Sequence, residues 1–121
     1  MIRKRLLQLS LLLVLIIIVV SLIPGGARPQ TPLRAVHEHL LAYGAVAFWF
    51  ALLLKGMGAR VALIAGLSAL AGVLELVQLV VPGREGQWID FHYSTAGAVL
   101  GGLGGALLAE LARRVSRSLR R

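Results

Sequence analysis

The sequence predicts an all-α protein, a polytopic bundle of four transmembrane helices with both termini in the cytoplasm. Three observations support this prediction: four long apolar stretches, a low content of charged residues, and basic residues concentrated at alternate flanks of the stretches. The stretches cover residues 6–23, 36–54, 61–81 and 91–110. Because about 20 mainly apolar residues cross ~30 Å of hydrocarbon, each stretch is long enough to span a bilayer.

The composition agrees with a membrane protein of one domain, residues 1–121. Hydrophobic residues make up 58% of the chain and charged residues 15%, whereas soluble domains carry roughly 25% charged residues. A soluble chain of this size keeps much of its surface wet and could not bury so many apolar side chains. The absence of cysteine excludes disulfides, thiolate catalysis and cysteine-ligated zinc.

The first apolar stretch, residues 6–23, contains no charged residue and follows three basic residues at positions 3–5. A cleavable signal peptide is the alternative, since Gly25-Gly26-Ala27 offers small residues for cleavage. The apolar run is longer than the ~7–15 residue core of a signal peptide, which favours an uncleaved helix. Pro24 and the two glycines that follow it predict the end of this helix.

Loops separate the remaining three stretches. Pro29 and Pro32 keep the first loop extended, and residues 55–58 form a tight turn between antiparallel helices. The pair Pro82-Gly83 ends the third stretch, so that residues 84–90 form a short outer loop. With both termini inside, ten of the 13 Lys and Arg residues are cytoplasmic, which favours this orientation.

The net charge of +8 would indicate nucleic acid in a soluble protein, but here the basic residues flank the apolar stretches. We therefore expect them to set the topology and to contact anionic lipid, and we expect no nucleic-acid partner. The basic tail, residues 113–121, is amphipathic and is interpreted in the same way.

Polar residues cluster near the outer end of the last three helices. His39 and Tyr43 are four residues apart and share one face of the second helix. The third and fourth helices each carry one similar stripe at helical spacing, and Arg84 lies in the loop between them. The predicted ligand-binding residues are His39, Tyr43, Glu75, Gln78, Arg84, Asp90 and Ser94.

Glu75 carries the most information among these residues. It lies seven residues before Pro82, which places it about 10 Å deep at ~1.5 Å per residue. A carboxylate at the membrane centre costs ~2.5–3.5 kcal/mol and usually faces the protein interior with a partner. The predicted partners are His39, Gln78 and Arg84.

A structural interpretation of the same residues is that they join helices through hydrogen bonds worth ~0.6 kcal/mol each. Their grouping at one end of the bundle favours a functional site. We interpret His37 as an interfacial residue, leave Glu38 and His92 open, and assign Trp88 and Tyr93 to an aromatic belt.

Three glycines of the fourth helix, Gly97, Gly101 and Gly105, repeat at four-residue spacing. Small residues in this pattern allow helices to approach closely in lipid, so we predict helix packing here. A hinge or a ligand slot is the alternative interpretation.

The order of these features resembles the VanZ-like family of small bacterial membrane proteins. That family has H-x-x-x-Y, then E-x-x-Q, then P-x-R, then D-x-x-x-N-x-x-G-x-x-x-G, and the resemblance covers roughly residues 36–110. Ser94 stands where the family has asparagine, and Ala35-Val36 stand where it commonly has Asp-Lys. The resemblance implies a bacterial cytoplasmic membrane protein of the cell envelope. The family is named for a protein that gives low-level teicoplanin resistance.

The preferred hypothesis is a non-transporting envelope protein that affects glycopeptide susceptibility. Its outer site would bind an anionic lipid headgroup, a lipid-linked wall precursor or an amphiphilic antibiotic. The alternative is an intramembrane enzyme acting on a lipid-linked substrate, with His39, Glu75 and Asp90 as candidate catalytic residues. A proton-linked transporter is less favoured. A metal site formed by His39, Glu75 and Asp90 is a further alternative, but two carboxylates and one histidine are weak evidence for a metal, so we expect no metal or other cofactor.

Overall fold

The structure, a computed structural model, describes residues 1–121 and contains four long helices. They are α1 (Ile2–Leu22), α2 (Ala35–Leu53), α3 (Met57–Gln78) and α4 (Trp88–Ser118), and a short 3-10 helix covers Gly25–Ala27. Each long helix has the length and apolar composition to cross a membrane, and there is no strand. The predicted all-α, four-helix architecture is confirmed, while the orientation of the termini stays a prediction.

The boundaries of α3 and α4 differ from the predicted ones. α3 begins at Met57 and ends at Gln78, whereas the apolar stretch covers residues 61–81. Pro82 disfavours helical backbone in the residue before it, so the chain turns before the apolar stretch ends. α4 continues through most of the predicted tail, because Glu110 forms ion pairs with three arginines at helical spacing, Arg113, Arg114 and Arg117.

The four helices pack unequally. α2 and α4 form the most extensive contact, α3 lies against α4, and α1 packs more sparsely on α2 and α3. In α1 only Ser10 and Ile17 are buried. The core therefore consists mainly of small and branched side chains from α2, α3 and α4, with Val46, Ala47 and Ala98 fully buried.

Contact between α2 and α4 is backbone to backbone. A Cβ atom added to Gly97, Gly101 or Gly105 would lie 2.2, 2.0 and 2.4 Å from carbonyl oxygens of α2. Those oxygens belong to Leu40, Gly44 and Phe48, which also repeat every four residues. Since both sets increase together along the chain, α2 and α4 run parallel and start at the same end of the bundle.

We call that end the polar end. It comprises the starts of α2 and α4, the ends of α1 and α3, and the two loops of residues 23–34 and 79–87. The two loops are locked together, since the Gly25 N–H donates to the Pro82 carbonyl oxygen at 3.0 Å. A Cβ on Gly25 would lie 1.8 Å from the Gly83 carbonyl oxygen. Gly83 has a φ of 71°, which only glycine adopts without strain.

Candidate functional site

Three ionisable side chains from three helices meet at the polar end. His39 is in the second turn of α2, Glu75 in the last turn of α3, and Asp90 in the first turn of α4. His39 Nε2 lies 3.6 Å from Glu75 Oε1, and His39 Nδ1 lies 3.9 Å from Asp90 Oδ1. The structure therefore brings together the three residues that the sequence analysis named as catalytic candidates.

The ring of His39 is held by its own helix. Its Nδ1 lies 2.8 Å from the carbonyl oxygen of Ala35, one turn earlier in α2. A carbonyl oxygen only accepts hydrogen bonds, so Nδ1 carries the proton and donates it. In the neutral imidazole the lone pair is then on Nε2, which faces Glu75.

Glu75 is fixed from the opposite side by the loop that follows α3. Its Oε2 accepts the backbone N–H of Gln87 at 2.8 Å, and its side chain is buried. Because α3 ends at Gln78, Glu75 lies only ~4.5 Å from the end of the helix, at ~1.5 Å per residue. The predicted depth of about 10 Å is counted from Pro82, and residues 79–81 between Gln78 and Pro82 form hydrogen-bonded turns.

Asp90 is buried with an unpaired oxygen. Its side chain is 9% exposed, and Oδ1 has no hydrogen-bond partner. The hydroxyl of Ser94 donates to the backbone carbonyl of Asp90 at 2.8 Å, so it is satisfied within α4. Ser94 therefore lies beneath the cluster and holds the first turn of α4, without binding the Asp90 carboxylate.

Tyr43 and Gln78 lie next to the cluster and connect it to the core and to α1. Tyr43 belongs to the hydrophobic core and is 3% exposed. The side-chain amide of Gln78 donates to the carbonyl oxygen of Ser21 at 3.2 Å. Gln78 therefore joins α3 to α1 through a hydrogen bond, which is a structural role for this predicted ligand-binding residue.

Arg84 reaches the end of α1. Its Nε donates to the Ile23 carbonyl oxygen at 2.9 Å, and a second guanidinium N–H donates to the Val20 carbonyl oxygen. It forms no ion pair with a carboxylate, so the predicted Glu75–Arg84 contact is replaced by the contact of Glu75 with His39. Burial lowers the pKa of Arg84, the charge of Arg28 lowers it further, and Glu75 opposes this.

The sequence analysis missed a contact of the first loop. Arg28 forms an ion pair with Glu38, and the hydroxyl of Thr31 donates to the same carboxylate. The sequence analysis counts Arg28 only among the basic residues that set the topology, and it assigns no role to Glu38. Their separation of ten residues across an irregular loop has no helical or strand spacing that would have predicted the pair.

An open polar chamber covers the cluster. It has a volume of about 560 Å³ and is lined by both loops together with His39, Gln78, Arg84 and Asp90. A smaller cavity of about 140 Å³ extends between α1 and α2, and most of its exposed lining is apolar. We call it the slot. It shares Arg28, Glu38, His39, Gln78 and Arg84 with the chamber, so the two cavities adjoin.

The other histidines and aromatic residues lie outside this space. His37 and His92 are exposed, and neither lines the chamber or the slot. Trp88 is 64% exposed and stacks edge-on against Phe91. His37, His92 and Trp88 are therefore in positions suited to contact lipid or water around the bundle.

The chamber offers carboxylates, imidazole, guanidinium, the amides of Gln30, Gln78 and Gln87, and the hydroxyl of Thr31, which donates to Glu38. Of the hydroxyls on α3 and α4 near this region, Ser68 and Thr95 bond to each other at 2.7 Å and Ser94 bonds to backbone. The arrangement suits hydrogen bonding, ion pairing or cation binding better than covalent catalysis. A comparison of the chain with protein families, with curated proteins and with solved structures finds no match.

Proposed function

We propose that this protein is a VanZ-like protein of the bacterial cytoplasmic membrane that binds an amphiphile at the polar end of its bundle. The ligand class is an anionic lipid headgroup, a lipid-linked wall precursor or an amphiphilic antibiotic. One observation carries the proposal: a polar chamber adjoins an apolar slot between two helices. This combination matches a molecule with a polar head and a hydrocarbon chain.

The slot supports this proposal through the packing of α1. Its apolar lining comes from Ile16, Ile17 and Val20 on α1 and from Ala42 and Tyr43 on α2. α1 buries few of its own side chains, so a hydrocarbon chain would add apolar contacts that the helix lacks. Inside a bilayer the gain comes from van der Waals packing, because lipid tails are as apolar as these side chains.

Arg84 is the expected contact for an anionic group. The chamber carries two arginines, Arg28 and Arg84, and three carboxylates, Glu38, Glu85 and Asp90. Arg28 is paired with Glu38, whereas Arg84 bonds only to backbone carbonyls and forms no ion pair with a carboxylate. Its remaining N–H groups are suited to a phosphate or carboxylate oxygen.

The resemblance to the VanZ-like family supplies the biological setting of the proposal. With both termini in the cytoplasm, the chamber opens on the outer face of the membrane, where glycopeptides meet lipid-linked wall precursors. We therefore expect deletion of the protein to change sensitivity to teicoplanin-type antibiotics.

A lipid-binding measurement with a filled slot tests the proposal. Purified protein in nanodiscs of phosphatidylcholine receives spin-labelled phosphatidylglycerol, and the fraction of immobilised label is measured. Ala42→Trp should fill the slot and reduce this fraction at least fivefold. Leu41→Trp is the matched control, because Leu41 is adjacent on α2 and is 58% exposed. Equal immobilisation by both variants and the unchanged protein contradicts binding in the slot.

The second hypothesis, an intramembrane enzyme, is favoured by one observation: Nε2 of His39 faces a buried carboxylate. Labelled lipid-linked wall precursors incubated with the protein should be retained unchanged if it only binds. A product that forms with the unchanged protein and disappears in Glu75→Gln would establish catalysis instead.

A transport path has less support in the structure. Outside the polar end the buried polar side chains are Ser10 and Arg60. The hydroxyl of Ser10 donates to the Leu6 carbonyl, and Arg60 donates to carbonyls at the end of α2. Neither is free to pass a proton or an ion through the other half of the bundle.

A further inference from the structure

We propose that His39, Glu75 and Asp90 bind a divalent transition-metal ion of the zinc class. One nitrogen or oxygen atom from each residue lies within 4.8 Å of the others. Imidazole and carboxylate are ligands that such ions accept, and three protein ligands with an open position are typical of catalytic and substrate-binding sites. The three residues come from α2, α3 and α4, so an ion would join the helices that form the core.

The distance between His39 and Glu75 suits two ligands of one ion. Nε2 and Oε1 are 3.6 Å apart, beyond the ~3.2 Å limit of an N–H···O hydrogen bond. Two ligand atoms at ~2.0–2.1 Å from a tetrahedral ion are about 3.4 Å apart. The separation therefore leaves room for an ion, whereas a direct hydrogen bond would draw the two atoms closer.

Each of these ligands is oriented by a second contact, as is usual at metal sites. The Nδ1–H of His39 donates to the Ala35 carbonyl, which leaves the Nε2 lone pair facing Glu75. The Gln87 N–H binds Oε2 of Glu75, which leaves Oε1 facing the histidine. Both side chains thus present one free ligand atom to the same space.

Asp90 supplies an independent observation. Its side chain is more than nine-tenths buried, and Oδ1 lies 3.9 Å from His39 Nδ1 without any hydrogen-bond partner, since Nδ1 donates to Ala35. A buried carboxylate oxygen without a partner is costly, and coordination of a cation removes that cost. A divalent cation would also offset the charge of the two carboxylates, Glu75 and Asp90, that lie beside His39.

The open coordination position would face the chamber. His39 is the most exposed of the three ligands, at 17% of its side chain, and it lines both the chamber and the slot. The ion could then hold a phosphate or carboxylate oxygen of the bound amphiphile together with Arg84. This last step rests on the proposed function, whereas metal binding itself does not.

Metal binding is tested on purified full-length protein in detergent micelles without added lipid, after treatment with a chelator. Zn²⁺ binding is measured by calorimetry, and Co²⁺ binding by its visible absorption spectrum. We expect about one ion per chain, since the three residues form a single site. His39→Gln, Glu75→Gln and Asp90→Asn should each weaken binding at least tenfold and abolish the rise in melting temperature caused by Zn²⁺.

His37→Gln and His92→Gln are the matched controls, because both histidines are exposed and outside the site. They should bind Zn²⁺ as the unchanged protein does. Circular dichroism identifies any variant that fails to fold, and the remaining two site variants then decide the result. Binding that survives in all the folded site variants, or that is lost in the controls, overturns the metal site.

The lipid measurement separates this proposal from the proposed function. Normal Zn²⁺ binding with no effect of Ala42→Trp on lipid immobilisation would overturn the amphiphile site alone. Loss of lipid immobilisation in Ala42→Trp, together with no Zn²⁺ binding by the unchanged protein, would overturn the metal site alone.

Discussion

Gly101 and Gly44 bring the backbones of α4 and α2 into contact: a Cβ on Gly101 would lie 2.0 Å from the Gly44 carbonyl oxygen. This contact also bears on the site, because His39 is in α2 and Asp90 is in α4. The distance between these two side chains therefore depends on the close approach of the two helices. A residue larger than glycine at the contact must separate them.

Gly101→Ala should destabilise the bundle by about 1–3 kcal/mol, the usual cost of overpacking a well-packed contact. The added methyl group would meet backbone, which cannot rotate away as a side chain can. The free energy of unfolding is measured by denaturation in mixed micelles, followed by circular dichroism.

Gly66→Ala is the control for this prediction. Gly66 is also in a transmembrane helix, but a Cβ there has no atom within 4 Å. It should leave the free energy of unfolding unchanged or raise it by up to about 1 kcal/mol, because alanine favours an exposed helix interior over glycine. Equal stability of the two alanine variants would contradict the close contact between α2 and α4.

Arg60→Leu should destabilise the protein by removing hydrogen bonds at the end of the bundle opposite the polar end. The buried guanidinium of Arg60 donates to the carbonyl oxygens of Ala51 and Leu54, where α2 ends and its last carbonyls lack helical partners. Loss of these charged hydrogen bonds is expected to cost about 1.5–3 kcal/mol. Lys55→Leu is the control, since Lys55 is exposed in the adjacent turn. A larger loss of unfolding free energy in Lys55→Leu than in Arg60→Leu would show that stability depends on the positive charge here and not on the hydrogen bonds to the end of α2.

The four helices could be predicted because long uncharged stretches have few alternatives to spanning a bilayer. The His39, Glu75 and Asp90 cluster could be predicted because ionisable residues within such stretches normally face one another. Helical spacing also placed Gly97 and Gly101 on one face of α4. All of these inferences rest either on residue spacing within one helix or on the constraints that a bilayer places on helix length and on buried charge.

The contacts of the loops could not be predicted in this way. Arg84 and Ile23 are separated by 61 residues, and their contact depends on how two irregular loops pack. The Gly25–Gly83 approach has the same origin, since neither residue is in a long helix. The role of Arg60 was missed for another reason: the basic-residue count explained its charge, and nothing in the sequence indicated that it is buried.

Arg84→Leu should loosen α1 while leaving the other helices packed. α1 has only two buried residues, and its end is held by the contacts of Arg84 with Ile23 and Val20. Local opening follows where few apolar contacts hold an element. Hydrogen exchange should therefore accelerate in the last turns of α1, with α2 and α4 unchanged.

Arg114→Leu is the control for this prediction. It removes an arginine whose side chain is 72% exposed and should not alter exchange in α1. Faster exchange in both variants would refute a specific role for Arg84.

Single cysteines should show that the polar end faces outward. The chain has no cysteine, so Trp88→Cys and Ser118→Cys each introduce a unique thiol, one at either end of α4. Ten of the 13 basic residues lie on the side of the termini, which is expected to be cytoplasmic. An impermeant maleimide added to intact spheroplasts should therefore label position 88 at once and position 118 only after permeabilisation. The opposite pattern would place the chamber in the cytoplasm, where it could not meet an externally added glycopeptide, and the proposed envelope role would have to be abandoned.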